Sequence, residues 1–95
     1  MEKYHYRITL ESLDATAAPT TRALRFDFDN HDDIFFILDR LKQRGDFAAE
    51  DIPPLAIGLK LLGKTLMKNK ENPLLASLKP HFAAFMRELK KSSPG

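Results

Sequence analysis

Two stretches of this chain alternate strictly between apolar and polar residues. Tyr4, Tyr6, Ile8 and Leu10 alternate with His5, Arg7, Thr9 and Glu11; Leu24, Phe26 and Phe28 alternate with Arg25, Asp27 and Asp29. A period of two marks strands with one buried face. Both apolar sets fall on even numbers, so the strands must pair even with even. Pairing Ile8 with Phe26 sets Arg7 opposite Asp27 and His5 opposite Asp29. Pairing Leu10 with Phe26 sets Arg7 opposite Asp29 and Glu11 opposite Arg25. Pairing Tyr6 with Phe26 sets Arg7 against Arg25, which repels. The first two registers remain, and the connecting loop is Asp14–Thr20.

Beyond residue 30 the period changes to that of helices. Asn30 is predicted to cap a helix whose first turn holds Asp32 and Asp33, favourable at the positive end of the helix dipole. Ile34, Ile37, Leu38 and Leu41 form its stripe, widened by Phe35. Arg40, Lys42 and Arg44 suit its C-terminal end, and Gly45 suits a left-handed stop. Asp51 is the expected cap of a second helix, with Pro53 and Pro54 in its first turn. Its apolar face is Ile52, Leu55, Leu59, Leu62 and Leu66, with Ala56 and Gly63 as small neighbours. Gly63 on that face predicts close backbone packing, while Gly58 lies off it. A turn over Asn69–Asn72 leads to Pro73 and a third helical stripe: Leu75, Leu78, Phe82, Phe85, Met86 and Leu89. Pro80 lacks the N–H that would bond residue 76, so a kink or a break is expected there. The chain therefore reads as α+β: an N-terminal β-hairpin followed by three helices, or four if broken at Pro80, packed on one sheet face.

The chain has 95 residues. At that size folding buries roughly 65% of the unfolded chain's surface, enough for one core. Residues 1–91 read as a single α+β domain and 92–95 as a frayed tail. With no cysteine, disulfides, thiolate zinc sites and cysteine nucleophiles are excluded. No apolar run approaches the roughly 18 residues of a membrane span, and MEKYHYRITL does not read as a signal peptide. A cytoplasmic location is expected. The net charge is +2, split as −1 over residues 1–45 and +3 over residues 46–95. Nucleic-acid binders show a larger and more clustered excess.

The stretches NHDDIFFILDRL, LAIGLKLLGKTLMKNKENPLL and LKPHFAAFMRELK, with the strand YRITL, resemble a family of small bacterial proteins known as domain of unknown function 3861. The most specific parts are Asn30-His31-Asp32-Asp33 and Gly58-Leu59-Lys60-Leu61. The segment from Arg44 to Pro54 and the Asp14–Thr20 loop are the least typical of it. The resemblance implies a shared fold and brings neither an activity nor catalytic residues.

Three groups of residues have chemistry to weigh. Asp27, Asp29, His31, Asp32 and Asp33 form the densest acidic cluster. Their spacing matches no cation loop, since the calcium pattern needs a glycine and a distal glutamate. No metal and no cofactor is expected. His31 with Asp32 and Asp33 is the candidate catalytic end, with His31 as base, but no nucleophile stands in a recognisable setting. Lys60, Lys64 and Lys68 share one helix face and are the candidate anion site. Without interleaved aromatics or arginine forks, nucleic-acid binding through them is expected to be weak and nonspecific. Ile57 and Leu61 sit on that same lysine face, opposite the main apolar stripe, and are the interface candidates. The sequence favours a protein-interaction or regulatory module of unknown function, with a homodimer or an unidentified protein as partner. The alternatives are a small hydrolase-type enzyme at the His31/Asp32/Asp33 end and a weak nucleic-acid binder through the lysines.

Overall fold

The computed structural model describes residues 4–91; the expected frayed tail at 92–95 lies outside them. Strands β1 (Tyr4–Leu13) and β2 (Pro19–Asn30) are followed by helices α1 (Ile34–Arg44), α2 (Ile52–Lys68) and α3 (Pro73–Lys90). A single 3-10 turn, Ala49–Asp51, leads into α2. The architecture is α+β. Contacts gather in two compact units divided between Asp33 and Ile34.

The first unit is an antiparallel two-stranded sheet. Of the two registers left open by the charges, the structure adopts Ile8 opposite Phe26, with Arg7 opposite Asp27 and His5 opposite Asp29. Arg7 donates from Nε and Nη2 to the Asp27 carboxylate at 2.7 and 3.1 Å, and His5 Nδ1 lies 2.6 Å from Asp29 Oδ1. On the even face the Tyr6 and Phe28 rings stack tilted, 5.5 Å apart. The ladder slips beyond Glu11: Glu11 faces Ala23 but Leu13 faces Pro19, so β2 carries extra residues in a bulge. The loop then closes on one carboxylate. Asp14 Oδ1 accepts from Thr16 N, Thr16 Oγ1 and Ala18 N, and these donors hold Asp14 below the usual carboxylate range. Ala17 takes a left-handed φ of 65° within this cage.

At the sheet's end the structure corrects the capping expectation. Asn30 ends β2, is buried, and donates from Nδ2 to the Asp32 carbonyl at 2.7 Å. Helix α1 starts only at Ile34, with no acidic residue in its first turn. A buried amide must be hydrogen-bonded, and Asn30 meets that need in the strand-to-helix connection instead of on the helix.

The second unit is built around Leu41, Ile52 and Ala56, with Ile37, Leu38, Phe47 and Leu89 packed against them. Gly45, at φ 80°, terminates α1 as expected. Asp51 holds the N-cap position of α2 without making a side-chain cap bond. Asn72 caps α3, accepting from Leu74 N and Leu75 N. A Cβ on Gly63 would meet the Phe82 ring at 3.3 Å, so the glycine is where α3 approaches α2. Helix α3 runs unbroken through Pro80, and the fourth helix does not exist. Pro80 and Ala76 are both exposed, so water can bond the carbonyl that the proline leaves without a donor. The stripe of α3 is only partly covered: Leu75, Phe82, Met86 and Leu89 are half-buried, while Leu74, Leu78 and Phe85 are exposed.

Arg44 ties the ends of the first and last helices together. Its Nη1 donates to the carbonyls of Leu89 and Lys91 at 2.7 and 2.9 Å. Nε and Nη2 donate to the Asp46 carboxylate at 3.1 and 2.8 Å, and the guanidinium lies 5.8 Å from the centre of the Phe47 ring. The hydrogen bonds from Arg44 hold Asp46 below its ordinary range.

Two outcomes follow from this packing. Gly63→Val should destabilise by about 1–3 kcal/mol through crowding against Phe82. Gly58→Ala, where a Cβ meets nothing within 4 Å, should stabilise by about 1 kcal/mol; urea denaturation of both variants checks the contrast. The depressed carboxyl of Asp46 contributes stability above the ordinary Asp range, near pH 3.9. That contribution is lost as pH falls through the lower folded value. Asp46→Asn should therefore melt lower than the wild type at pH 7, with the gap closing in strong acid.

Candidate functional site

The acidic cluster singled out by sequence is largely engaged in holding the hairpin. Asp27 pairs with Arg7, and its carboxyl is held low first by that hydrogen bond. Asp29 pairs with His5. Asp33 accepts from the Tyr6 hydroxyl at 3.1 Å, and Asp32 offers its backbone carbonyl to Asn30. His31 is exposed. Asp27 and Asp29 lie on one face of β2, whereas His31, Asp32 and Asp33 follow in the connection. Among the described residues no group of three or more His, Asp or Glu side chains is arranged to hold a metal ion.

On α2 the candidate anion residues differ in their surroundings. Lys60 and Lys64 are half-buried and Lys68 is exposed. Their half-burial fits long side chains laid along the helix surface. Ile57 and Leu61, the interface candidates, are half-buried as well. They are therefore neither closed into a core nor fully open.

The larger apolar exposure lies on the hairpin, beyond the residues chosen from the sequence. Tyr4, Tyr6, Ile8 and Phe28 are half-buried, but Leu10 is 64% exposed, Leu24 57% and Phe26 39%. Leu10 and Leu24 face each other across the ladder, as do Ile8 and Phe26, so these side chains form one patch on the even face. Leu13, past the bulge, is also exposed. The alternation that identified the strands contained the signal: an apolar face continues past the bulky aromatic end to residues 10 and 24. Concave space of about 390 Å³ opens beside the bulge, between Leu10–Ser12 and Arg22–Leu24.

A fold of this order, with its hairpin and three helices, is shared with known proteins. The chain belongs to the family of the domain of unknown function DUF3861, whose model matches residues 4–91. It is similar to a protein of unknown function from Pectobacterium atrosepticum SCRI1043, whose crystal structure at 2.20 Å has 34% sequence identity. That likeness has a TM-score of 0.81 and covers 97% of this chain and 100% of the other. No curated protein matches the chain.

With Asp27, Asp29 and Asp33 engaged by neighbours, calorimetric titration with zinc, manganese or calcium should give no stoichiometric submicromolar site. A tight site lost in His31→Ala would reverse this reading of the cluster.

Proposed function

We propose that the protein is a protein-interaction module whose first partner is a second copy of itself. The observation that carries the reading is the exposed even face of the hairpin, formed by Leu10, Leu24 and Phe26. Isolated exposed apolar residues are ordinary on a protein surface; a contiguous group on one face of a sheet marks a place of contact. A two-stranded sheet supports this further, since it is marginal by itself and presents unpaired backbone at its edges. Ile57 and Leu61 supply a second, half-buried apolar surface on α2. A cytoplasmic location is part of the same proposal. No helix among the described residues is long and apolar enough to cross a membrane.

Sedimentation of the purified protein at micromolar concentration should give the mass of a dimer. Leu24→Glu, at a position exposed enough to leave the hairpin folded, should shift the equilibrium toward monomer by about tenfold or more. A monomer mass for the wild type throughout the micromolar range would overturn the homodimer.

A further inference from the structure

We infer that the outer edge of β2 is the dimer seam, pairing antiparallel with β2 of a second copy about a two-fold axis at Phe26. The inference rests on the homodimer reading and specifies where its contact lies. Among the described residues the sheet has only β1 and β2, so β2 keeps one edge without a strand, and such an edge is a template for another chain.

The charges along β2 choose the register. In a two-fold antiparallel pair, residues equally distant from the axis face each other, and their side chains share a sheet face. With the axis at Phe26, Arg25 stands opposite Asp27 of the second copy, and Asp27 opposite its Arg25. On the other face Phe26 meets Phe26, and Leu24 meets Phe28. Moving the axis to Arg25 sets arginine against arginine. Moving it to Asp27 or Phe28 sets aspartates against each other. Moving it to Ala23 or Leu24 leaves Arg25 and Asp27 facing uncharged residues. Like charges directly opposite are unfavourable and opposite charges favourable, so the axis at Phe26 is selected.

The groups are available for this arrangement. Arg25 faces Thr9 across the existing ladder, and its charge already helps to lower Asp27 on its own strand. The Arg7–Asp27 pair is exposed, with side chains 64% and 62% accessible, so the carboxylate has room for a second guanidinium. The result is a chain of charges, Arg7 to Asp27 to Arg25 of the second copy, repeated by symmetry. Leu24 and Phe26 become cross-strand neighbours of apolar residues. The β1 edge also has a charge-matched register, with its axis at Thr9 and Arg7 opposite Glu11. However, that symmetric stretch reaches only Arg7–Glu11 before the ladder slips beyond Glu11. Around Phe26 the regular ladder extends from Ala23 to Asp29, a longer seam with larger apolar side chains.

Charge reversal tests the seam. Arg25→Glu places Glu against Asp27 in a homodimer, and Asp27→Lys places Lys against Arg25. Each variant alone should dimerise about tenfold or more weaker than wild type by sedimentation. An equimolar mixture should recover wild-type-like association, because both facing pairs are then opposite in sign. A hairpin unfolded by loss of the Arg7–Asp27 pair would not be rescued by mixing. The chain has no cysteine of its own, so Phe26→Cys should cross-link in oxidising buffer, the Cα separation of facing residues being within disulfide reach. A dimeric wild type whose association ignores both reversals, or a mixture that fails to recover although circular dichroism shows both variants folded, overturns the seam and leaves the interaction module standing; where Asp27→Lys unfolds, the Phe26→Cys cross-link decides. Cross-linking of Thr9→Cys instead of Phe26→Cys does the same and moves the contact to β1. A monomeric wild type overturns both.

Discussion

A slip of one residue between β1 and β2 would put Tyr6 and Ile8 on the sheet face opposite Phe26 and Phe28. The parity of the pairing is therefore the constraint on which the first unit depends. Apolar burial alone enforces even-with-even pairing but accepts a slip of two residues. The charged face narrows that freedom to two registers, and the Tyr6–Phe28 ring contact accompanies the one adopted. In the adopted register Arg7 makes a two-pronged contact with Asp27 while His5 meets Asp29. The competing register would have matched Arg7 with Asp29 and Glu11 with Arg25. It also would have forfeited the direct Tyr6–Phe28 ring contact. Exposed ion pairs contribute little to stability, yet a small difference suffices to choose between two nearly equivalent ladders.

Much of this was legible because period and charge are local properties. The hairpin, its two admissible registers, the stop at Gly45 and the close approach at Gly63 were all readable from residue spacing. The errors arose where one side chain has two uses. Asn30 has the chemistry of a cap, but strand pairing extends far enough to bury it, and its amide then serves the connection to α1. Pro80 breaks a helix when the abandoned carbonyl is buried; here it lies on the exposed side of a helix already held by its apolar stripe. The bulge beyond Glu11 and the Asp14 cage were not legible. The loop has no glycine to announce its left-handed residue, and Ala17 takes that conformation.

The site shows the same division. His31, Asp32 and Asp33 were conspicuous by composition, and composition does not reveal that Tyr6 and Asn30, distant or differently read in sequence, engage the group. The lysines at 60, 64 and 68 all lie on α2, but their burial differs along it, a property set by packing. Leu10 and Leu24 were recognised as members of an apolar face. The alternation assigns them to that face but does not set their degree of exposure, 64% and 57%.

Small folds bury a smaller fraction of their surface than large ones. In the second unit the buried apolar side chains are few: Ile34, Leu41, Ile52, Ala56 and Leu66 among the described residues. Arg44 reinforces that unit by polar means, holding carbonyls at the end of α3 and the Asp46 carboxylate. The hairpin has cross-strand ion pairs, Arg7–Asp27 and His5–Asp29, but they are exposed and so contribute little. Its backbone has a free edge, and its distal apolar pairs face outward. Association of two such edges satisfies hydrogen-bonding groups and gives apolar side chains neighbours at once, and any partner that binds only the folded hairpin stabilises it by mass action. A two-stranded hairpin is marginal by itself, so under the proposed seam it is the segment with most to gain from a second chain.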